Sequence, residues 1–230
     1  MSNHMTKISD PSAEHIEQVI IRPFTRVDRP GVRRICGDDL YARPTLNARF
    51  ARYHEYLADS MSYYTDYEPE SALVATAGST LVGALLGAVD TERCERLTRK
   101  HIRPLLRRRC LSGAYGWPGW LFYSMITEVA GLRTSAPTVD LINYPAHLHI
   151  GLLEDWQRQG IGTRLMRRYV EYLRSCNVTG FHLYASDFNW KGVEFYTKLG
   201  LETLGQFDWK LHDGVKLRTV TETIFGQRLE

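Results

Sequence analysis

The chain has 230 residues, of which 43% are hydrophobic and 24% charged, and its formal net charge is +3. This length supports one large domain or two small ones with a proper core, and the composition excludes global disorder, collagen and a membrane bundle. No long apolar run occurs, and the first twenty residues are polar, so we expect neither a signal peptide nor a membrane-spanning helix.

Four cysteines are widely spaced along the chain, at Cys36, Cys94, Cys110 and Cys176. None forms the C-x-x-C spacing of a zinc site or redox pair, and a chain of this size needs no disulfide framework. The pattern predicts reduced thiols, no metal and a cytoplasmic protein.

The beginning of the chain is polar and has little periodicity. We expect residues 1–17 to be a flexible tail, followed by a single domain over residues 18–230. The apolar stretch 19–24 predicts a strand, and Asp28-Arg29-Pro30 is typical of a helix start. Apolar and aromatic residues at helical spacing predict a second helix over 45–62.

A tyrosine cluster, Tyr63, Tyr64 and Tyr67, ends that second helix. These tyrosines either line a pocket or form a half-buried aromatic edge. The apolar stretches 71–77 and 81–89 then predict two strands of a hairpin.

Positive charge is concentrated in residues 91–110, which hold eight Lys and Arg residues against Glu92 and Glu95. The segment predicts a basic helix interrupted at Pro104. It either binds an anion or a nucleic acid or is a solvated helix face, and no nucleic-acid-binding motif accompanies it.

The second half of the chain has a clearer pattern. It predicts strands over 146–153 and 181–185, helices from about 161 and over 190–199, and a hairpin of 201–211 with 217–225 across Asp213-Gly214. This order of elements predicts an α+β or mixed α/β fold without an internal repeat.

A glycine-containing turn, residues 157–163, joins the strand 146–153 to the following helix. Its two glycines let the backbone approach a ligand, and the N–H groups of the first helical turn attract an anion. The alternative is a tight turn without a ligand. The spacing differs from both the dinucleotide-binding and the Walker patterns.

About 27 residues beyond the turn stands Asn189-Trp190-Lys191-Gly192-Val193-Glu194-Phe195-Tyr196-Thr197-Lys198-Leu199-Gly200-Leu201. A Q-x-x-G-x-G turn after a strand, followed by this segment, resembles the GCN5-related N-acetyltransferase (GNAT) family over residues 146–207. The resemblance implies a mostly antiparallel central sheet with a splay between strands 4 and 5. It also implies an insertion at about 91–137.

The stretch 144–150 is also similar to bacterial acetyltransferases related to the acetyltransferase-like domain at the C-terminus of O-GlcNAcases. Gly151, and Glu154 where many GNAT members carry proline, depart from the family pattern. These departures change the expected shape of the acceptor pocket.

The GNAT resemblance implies a binding site for acetyl-CoA. Leu152 and Leu153 would offer backbone groups to the pantetheine arm, Asn189 would contact that arm, and Tyr196 would protonate the departing thiolate. The pyrophosphate would be wrapped by Gln157, Arg158, Gln159, Gly160, Ile161, Gly162 and Thr163.

A general base must accept the proton of the attacking amine. His147 and His149 lie two residues apart, and therefore on one face of a strand, and histidine titrates near neutrality. The alternative for both is a hydrogen-bonded strand residue packed under a helix.

Three functions remain open from the sequence. The first is an acetyl-CoA-dependent N-acetyltransferase whose acceptor, a small-molecule or protein amine, attacks the thioester directly in a ternary complex. The second is a catalytically silent CoA-binding sensor or interaction module, and the third is a nucleic-acid-associated protein that uses the basic run. The basic run could instead hold the 3′-phosphate of CoA. The resemblance is also compatible with a homodimer, and we expect no membrane partner.

Overall fold

The computed structural model describes residues 19–38, 52–116, 137–212 and 217–229, which form a seven-stranded sheet with helices on both faces. The strands are β1 (Val19–Pro23), β2 (Ala72–Ala77), β3 (Thr80–Ala88), β4 (Ala146–Leu152), β5 (Gly180–Ser186), β6 (Glu202–His212) and β7 (Leu217–Arg228). The helices are α1 (Arg29–Asp38), α2 (Tyr53–Ser60), α3 (Tyr63–Asp66), α4 (Thr91–Leu97), α5 (Arg103–Leu111), α6 (Ile161–Ser175) and α7 (Trp190–Lys198).

The strand order in the sheet is β1-β2-β3-β4-β5-β7-β6, and β4 and β5 are its parallel pair among antiparallel neighbours. The β4–β5 ladder consists of Ala146 opposite Phe181 and His147 opposite His182. Beyond His147 the two strands separate, while β4 stays paired with β3 as far as Leu152. The predicted mixed α/β fold, with its splay between strands 4 and 5, is confirmed.

Two hydrophobic cores lie on opposite faces of the sheet. Leu165 and Tyr169 of α6 pack with Ala146 and Leu148 of β4 in one core. The other core contains residues of α1, α3, α4 and α5. Because side chains alternate along a strand, the odd-numbered residues of β4 face this second group of helices.

Most predicted elements of the described ranges are present, with two local differences. Tyr63 and Tyr64 of the tyrosine cluster lie in a further short helix, α3, and Tyr67 follows it. A π-helical turn, Thr98–Ile102, joins α4 to α5 at the place where the sequence predicted an interruption. It places Pro104 in the first turn of α5, where the missing N–H of proline costs no helical hydrogen bond.

Several predictions concern segments outside the described residues. These are the tail 1–17, the first part of the predicted helix 45–62, residues 117–136 of the expected insertion, and the turn at 213–214. All four cysteines are described, and each is a free thiol.

The basic run lies along α4, the π-helical turn and α5. Arg109 pairs with the buried carboxylate of Asp59 at 2.7 Å, and Arg93 approaches Glu68 at 3.5 Å. The other basic residues, Arg96, Arg99, Lys100, Arg103, Arg107 and Arg108, are exposed. Most of the run is therefore an exposed helix face. Of the helices described, none has the length and apolar character needed to cross a bilayer.

Candidate active site

A cavity of about 580 Å³ lies where β4 leaves β5, between the N-terminus of α6 and one side of α7. Its described lining consists of Ile150, Gly151, Leu152, Gln157, Arg158, Gly160, Gly162, Thr163, Asn189, Lys191, Gly192, Glu194, Phe195, Tyr196 and Lys198. The cavity thus joins the turn and the α7 segment that the sequence analysis singled out separately.

The open edge of β4 offers backbone groups to this cavity. Leu153 donates its N–H to the carbonyl oxygen of Val82. Val82 and Leu153 are therefore a hydrogen-bonded pair of the antiparallel β3–β4 ladder. Hydrogen-bonded and non-hydrogen-bonded pairs alternate along such a ladder. The N–H and C=O groups of Ile150 and Leu152 therefore point away from β3 and toward the gap.

The N-terminus of α6 forms the second wall. Gly160 precedes the helix with a φ of 76°, a left-handed conformation that favours glycine, and Arg158 has a φ of 60°. Arg164 makes a helical bond, donating its N–H to the carbonyl of Gly160. The N–H groups of the three residues before Arg164 have no partner within the helix, and such a terminus favours an anion.

Basic side chains surround the mouth of the cavity. Arg158 lies over the exposed ring of Trp190, with 5.7 Å between the guanidinium carbon and the ring centroid. Lys191 and Lys198 line the same cavity, and each is close to a carboxylate: Lys191 lies 3.5 Å from Glu154 and Lys198 lies 2.6 Å from Glu194. Arg158 adds positive charge beside the helix terminus, which favours an anionic ligand.

Asn189 is fixed at the start of α7. Its side-chain oxygen accepts a hydrogen bond of 3.1 Å from the N–H of Gly192, which caps the helix. This bond uses the carboxamide oxygen, so the NH₂ group remains as the donor that the side chain can offer at the cavity wall.

Tyr196 is 6% exposed and packs between Phe195 and Phe225, with ring centroids 5.3 and 5.6 Å away. Burial raises the pKa of this phenol above its usual value, so the hydroxyl stays protonated at neutral pH. Tyr196 is one of the lining residues of the cavity, and its hydroxyl has no hydrogen-bond partner among the described residues. A residue that carries a protonated donor therefore belongs to the cavity lining.

Not every residue singled out by the sequence reaches the cavity. Leu153 uses its N–H in the ladder to β3, Gln159 donates its side-chain amide to the carbonyl of Asp155, and Ile161 is fully buried in the core. None of these three is among the described lining residues.

His147 and His149 lie on the face of β4 that is turned toward α3, outside the described cavity lining. Burial lowers the pKa of His147 well below its usual value and that of His149 to about 4, and the neighbouring histidines lower both further. Burial also lowers the pKa of His182, across the sheet on β5. At neutral pH all three rings are uncharged.

Two parts of the site were missed from the sequence. Lys191, Phe195 and Lys198 line the cavity at helical spacing within the motif, so the α-helical period of α7 was the available signal. Tyr64 contacts both β4 histidines, but 83 residues separate it from His147, and no local pattern predicts that contact.

Residues 125–201 match the model of the Acetyltransferase (GNAT) family. Among solved structures, the chain is similar to SsHAT, with 22% identity and a TM-score of 0.61 over 93% of this chain and 99% of that one. It is also similar to yncA, a putative acetyltransferase from Salmonella typhimurium, with 12% identity and a TM-score of 0.55 over 92% and 94%. An agmatine N-acetyltransferase mutant matches with 13% identity and a TM-score of 0.56 over 92% and 100%.

These likenesses to solved structures concern the fold, while the family model matches the segment that carries the turn and Tyr196. Residues 125–201 of the chain therefore match the GNAT acetyltransferase family, and the rest of the described chain shares the fold of these structures. The resemblance inferred from the turn and the α7 segment is confirmed.

Proposed function

We propose that this protein transfers an acetyl group from acetyl-CoA to a primary amine. One observation carries the proposal: the strand gap, the N-terminus of α6 and Tyr196, whose phenol stays protonated, belong to one cavity. The yncA structure was solved with its cofactor acetyl-CoA, which supports the same ligand for this fold.

The donors around the cavity fit the chemistry of acetyl-CoA. The N–H groups at the start of α6, together with Arg158, suit the pyrophosphate. The backbone groups of Ile150 and Leu152 suit the amides of an extended pantetheine arm in the gap. When bound, acetyl-CoA would supply the acyl thioester, which is the electrophile.

The residues of this chain then have distinct tasks. A backbone N–H at Leu152 polarises the carbonyl oxygen of the thioester, and Tyr196 donates its phenolic proton to the departing sulfur. A histidine of β4 accepts the proton of the attacking amine. Much of the remaining rate enhancement comes from holding the amine next to the thioester.

The test begins with calorimetric titration of acetyl-CoA into the wild type, Gly160→Asp and Gly160→Asn. Both side chains tolerate a left-handed backbone and have nearly the same shape, and they differ in charge. We expect the wild type to bind acetyl-CoA and Gly160→Asn to retain most of the affinity. The affinity of Gly160→Asp should be at least about tenfold lower than that of Gly160→Asn, because the added negative charge repels the pyrophosphate.

A thiol-release assay with ethanolamine, lysine, spermidine and a small aromatic amine then tests for turnover. Acetylation of any of these amines at a rate above that of acetyl-CoA hydrolysis supports the transferase. If acetyl-CoA binds but neither this panel nor protein amines are acetylated, the result would favour a catalytically silent CoA-binding module. Failure of the wild type to bind acetyl-CoA would overturn the proposal.

A further inference from the structure

Six exposed cations lie along one continuous helical segment. α4, the π-helical turn and α5 follow one another without a break from Thr91 to Leu111, a length of about 30 Å at 1.5 Å per residue. The sequence holds no Asp or Glu from residue 96 to residue 108. The exposed cations, here called the basic stripe, are Arg96, Arg99, Lys100, Arg103, Arg107 and Arg108.

The π-helical turn helps to keep the basic stripe on one side of the segment. Ile102 and Leu106 are buried four residues apart. Arg99, Arg103 and Arg107 are exposed at the same interval. In a regular α-helix each step of four residues rotates a row by about 40° around the axis. A π-helical turn holds more residues and offsets part of this rotation, so the basic row stays in solvent while the buried row stays in the core.

The basic stripe has no acidic partner in the part of the chain that the structure describes. Elsewhere exposed cations are paired, as Lys198 is with Glu194 at 2.6 Å. Glu92 and Glu95 lie near the start of the same segment, but no described ion pair joins them to the stripe. Like charges four residues apart on a helix repel each other and destabilise it. A bound polyanion would relieve this repulsion.

An exposed aromatic ring lies within the basic stripe. His101 is exposed, and its ring stacks on that of Tyr67, with 5.5 Å between centroids and 24° between planes. Tyr67 stacks in turn on the buried ring of Tyr63, at 6.2 Å and 13°. Tyr67 is the one ring neighbour of His101 among the described residues, so the exposed imidazole can take a further flat ring. The series of rings therefore begins in the core and ends among the cations.

These two features match the two parts of a single-stranded nucleic acid. Five of the six cations are arginines, whose guanidinium groups bind phosphate oxygens through paired hydrogen bonds. The unpaired bases of a single strand stack on exposed aromatic rings next to a basic surface. In a duplex the bases are stacked and paired inside, so an exposed ring such as His101 has no base to meet.

Other polyanions fit this surface less well. A helix that binds a lipid surface presents large apolar side chains to it, and Leu111 is the one exposed large hydrophobic residue of the segment. A protein interface is centred on apolar and aromatic anchors, with most charges at its rim. Here the cations occupy the centre of the surface, which favours a nucleic acid over both.

We propose that the basic stripe and His101 form a binding surface for single-stranded nucleic acid, in which the arginines hold the phosphates and a base stacks on His101. RNA and DNA share this chemistry. The surface lies outside the described lining of the cavity, and the inference does not rest on the proposed acetyl transfer.

Salt-dependent binding tests the basic stripe. Fluorescence anisotropy with labelled RNA and DNA strands of about 15 nucleotides gives the affinity between about 50 and 200 mM salt. For six phosphate contacts the logarithm of the affinity should fall against that of the salt concentration with a slope of about −4. In the combined variant Arg99→Gln, Arg103→Gln and Arg107→Gln the slope should be about −2, and the affinity at low salt should fall at least about tenfold.

The matched control removes the same charge from another helix. Arg167→Gln, Arg168→Gln and Arg174→Gln replace three exposed arginines of α6 and should lower the affinity by less than about threefold. All substituted side chains in both combined variants are exposed, so both proteins should fold, which urea unfolding checks.

A second set of variants tests the stacking of a base on His101. His101→Ala should lower the affinity for the strands by about fivefold or more, while His101→Phe, which keeps a ring on Tyr67, should bind within about twofold of the wild type. An abasic strand of the same length should bind equally to the wild type and His101→Ala. His54→Ala, at an exposed histidine of α2, is the control and should bind the strands as the wild type does.

The outcomes separate the parts of the proposal. A wild type that binds neither strand at low salt would overturn it, and equal slopes in the wild type and the Arg99 combined variant would remove the basic stripe as the contact. An unchanged affinity in His101→Ala, or a duplex bound as tightly as its single strands, would overturn the stacking. Tighter binding to anionic vesicles or to polyglutamate would replace nucleic acid as the partner. Binding of either RNA or DNA supports the proposal, and the tighter of the two identifies the source.

Discussion

Both terminal nitrogens of Arg22 donate to the carboxylate of Asp28 at 2.7 Å, so the end of β1 is tied to the turn that leads into α1. The same carboxylate accepts from the backbone N–H and the hydroxyl of Thr25, at 2.8 and 2.7 Å. Asp28 is buried, and these hydrogen bonds, that from Arg22 most of all, lower the pKa of its carboxyl to about 2. The first strand and the first helix therefore share one ionised anchor.

Replacing Asp28 with asparagine should lower the free energy of unfolding by about 1–3 kcal/mol, because the partly exposed Arg22 would lose its charged partner. A carboxyl with a depressed pKa stabilises the fold above its unfolded-state pKa, and this stabilisation is lost as the pH falls from about 4 to about 2. Urea unfolding measures both effects. Asp66→Asn, at the exposed pair with Arg29, is the control and should cost less than about 1 kcal/mol. Equal losses in the two variants would contradict the assignment of Asp28 as an anchor.

Removing the phenolic oxygen of Tyr196 should separate binding from catalysis. Tyr196→Phe keeps the packing against Phe195 and Phe225, so the affinity for acetyl-CoA should change by less than about twofold. The value of kcat should fall by about 10- to 100-fold, since the departing thiolate loses its proton donor. Tyr172→Phe is the control, on the part of α6 outside the described cavity lining. A kcat equal to that of the wild type would exclude Tyr196 as the acid.

The three histidines of β4 and β5 should make the protein sensitive to mild acid. Each has a lowered pKa in the folded state, so below about pH 6.5 the unfolded chain binds protons that the folded chain does not. The free energy of unfolding should therefore fall as the pH decreases from about 6.5 to about 4, with His149 contributing ~3 kcal/mol over that window.

Urea unfolding at several pH values measures this dependence. His149→Gln should make the dependence shallower, because one proton-binding group is removed. His54→Gln, at an exposed side chain, is the matched control for the loss of a histidine. Identical slopes in the wild type and His149→Gln would show that this histidine does not resist protonation.

The contact between α2 and α5 depends on one buried carboxylate. Asp59 accepts hydrogen bonds of 2.7 Å from Arg33 and 2.5 Å from the hydroxyl of Tyr115, and it forms an ion pair with Arg109 at 2.7 Å. Asp59→Ala should destabilise the fold by about 1–3 kcal/mol, since Arg109 loses this ion-pair partner while Arg33 keeps Glu55. Hydrogen exchange of the α5 amides should become faster in this variant. Arg108→Gln, at an exposed position of the same helix, should change neither quantity.

The sequence predicted those parts of the fold that depend on local spacing. The helix from residue 161 was predicted because Leu165, Tyr169 and Leu173 repeat at helical intervals, and all three are buried in the core. The turn before it was predicted because its glycines permit the left-handed backbone that Gly160 adopts. Local chemistry and the observed structure agree there.

Contacts between distant segments could not be predicted in this way. The tyrosine cluster suggested a pocket or an aromatic edge, but the hydrogen bonds of Tyr64 depend on how α3 packs over β4. The same holds for Asp59, which accepts a hydrogen bond from Tyr115, a residue that lies 56 positions further along the chain. The π-helical turn Thr98–Ile102 was also not predicted, since the sequence indicated an interruption at Pro104 itself.

Gly162 and Phe195 bring α6 against α7 on one side of the sheet. A β-carbon at residue 162 would lie 3.1 Å from Cζ of the Phe195 ring, which is tighter than ordinary contact. Because α6 packs on the β1–β4 half of the sheet and α7 packs next to β5, a larger side chain there would act as a wedge between the two halves. A residue that belongs to neither strand thus lets α6 and α7 approach each other closely beside the gap between β4 and β5.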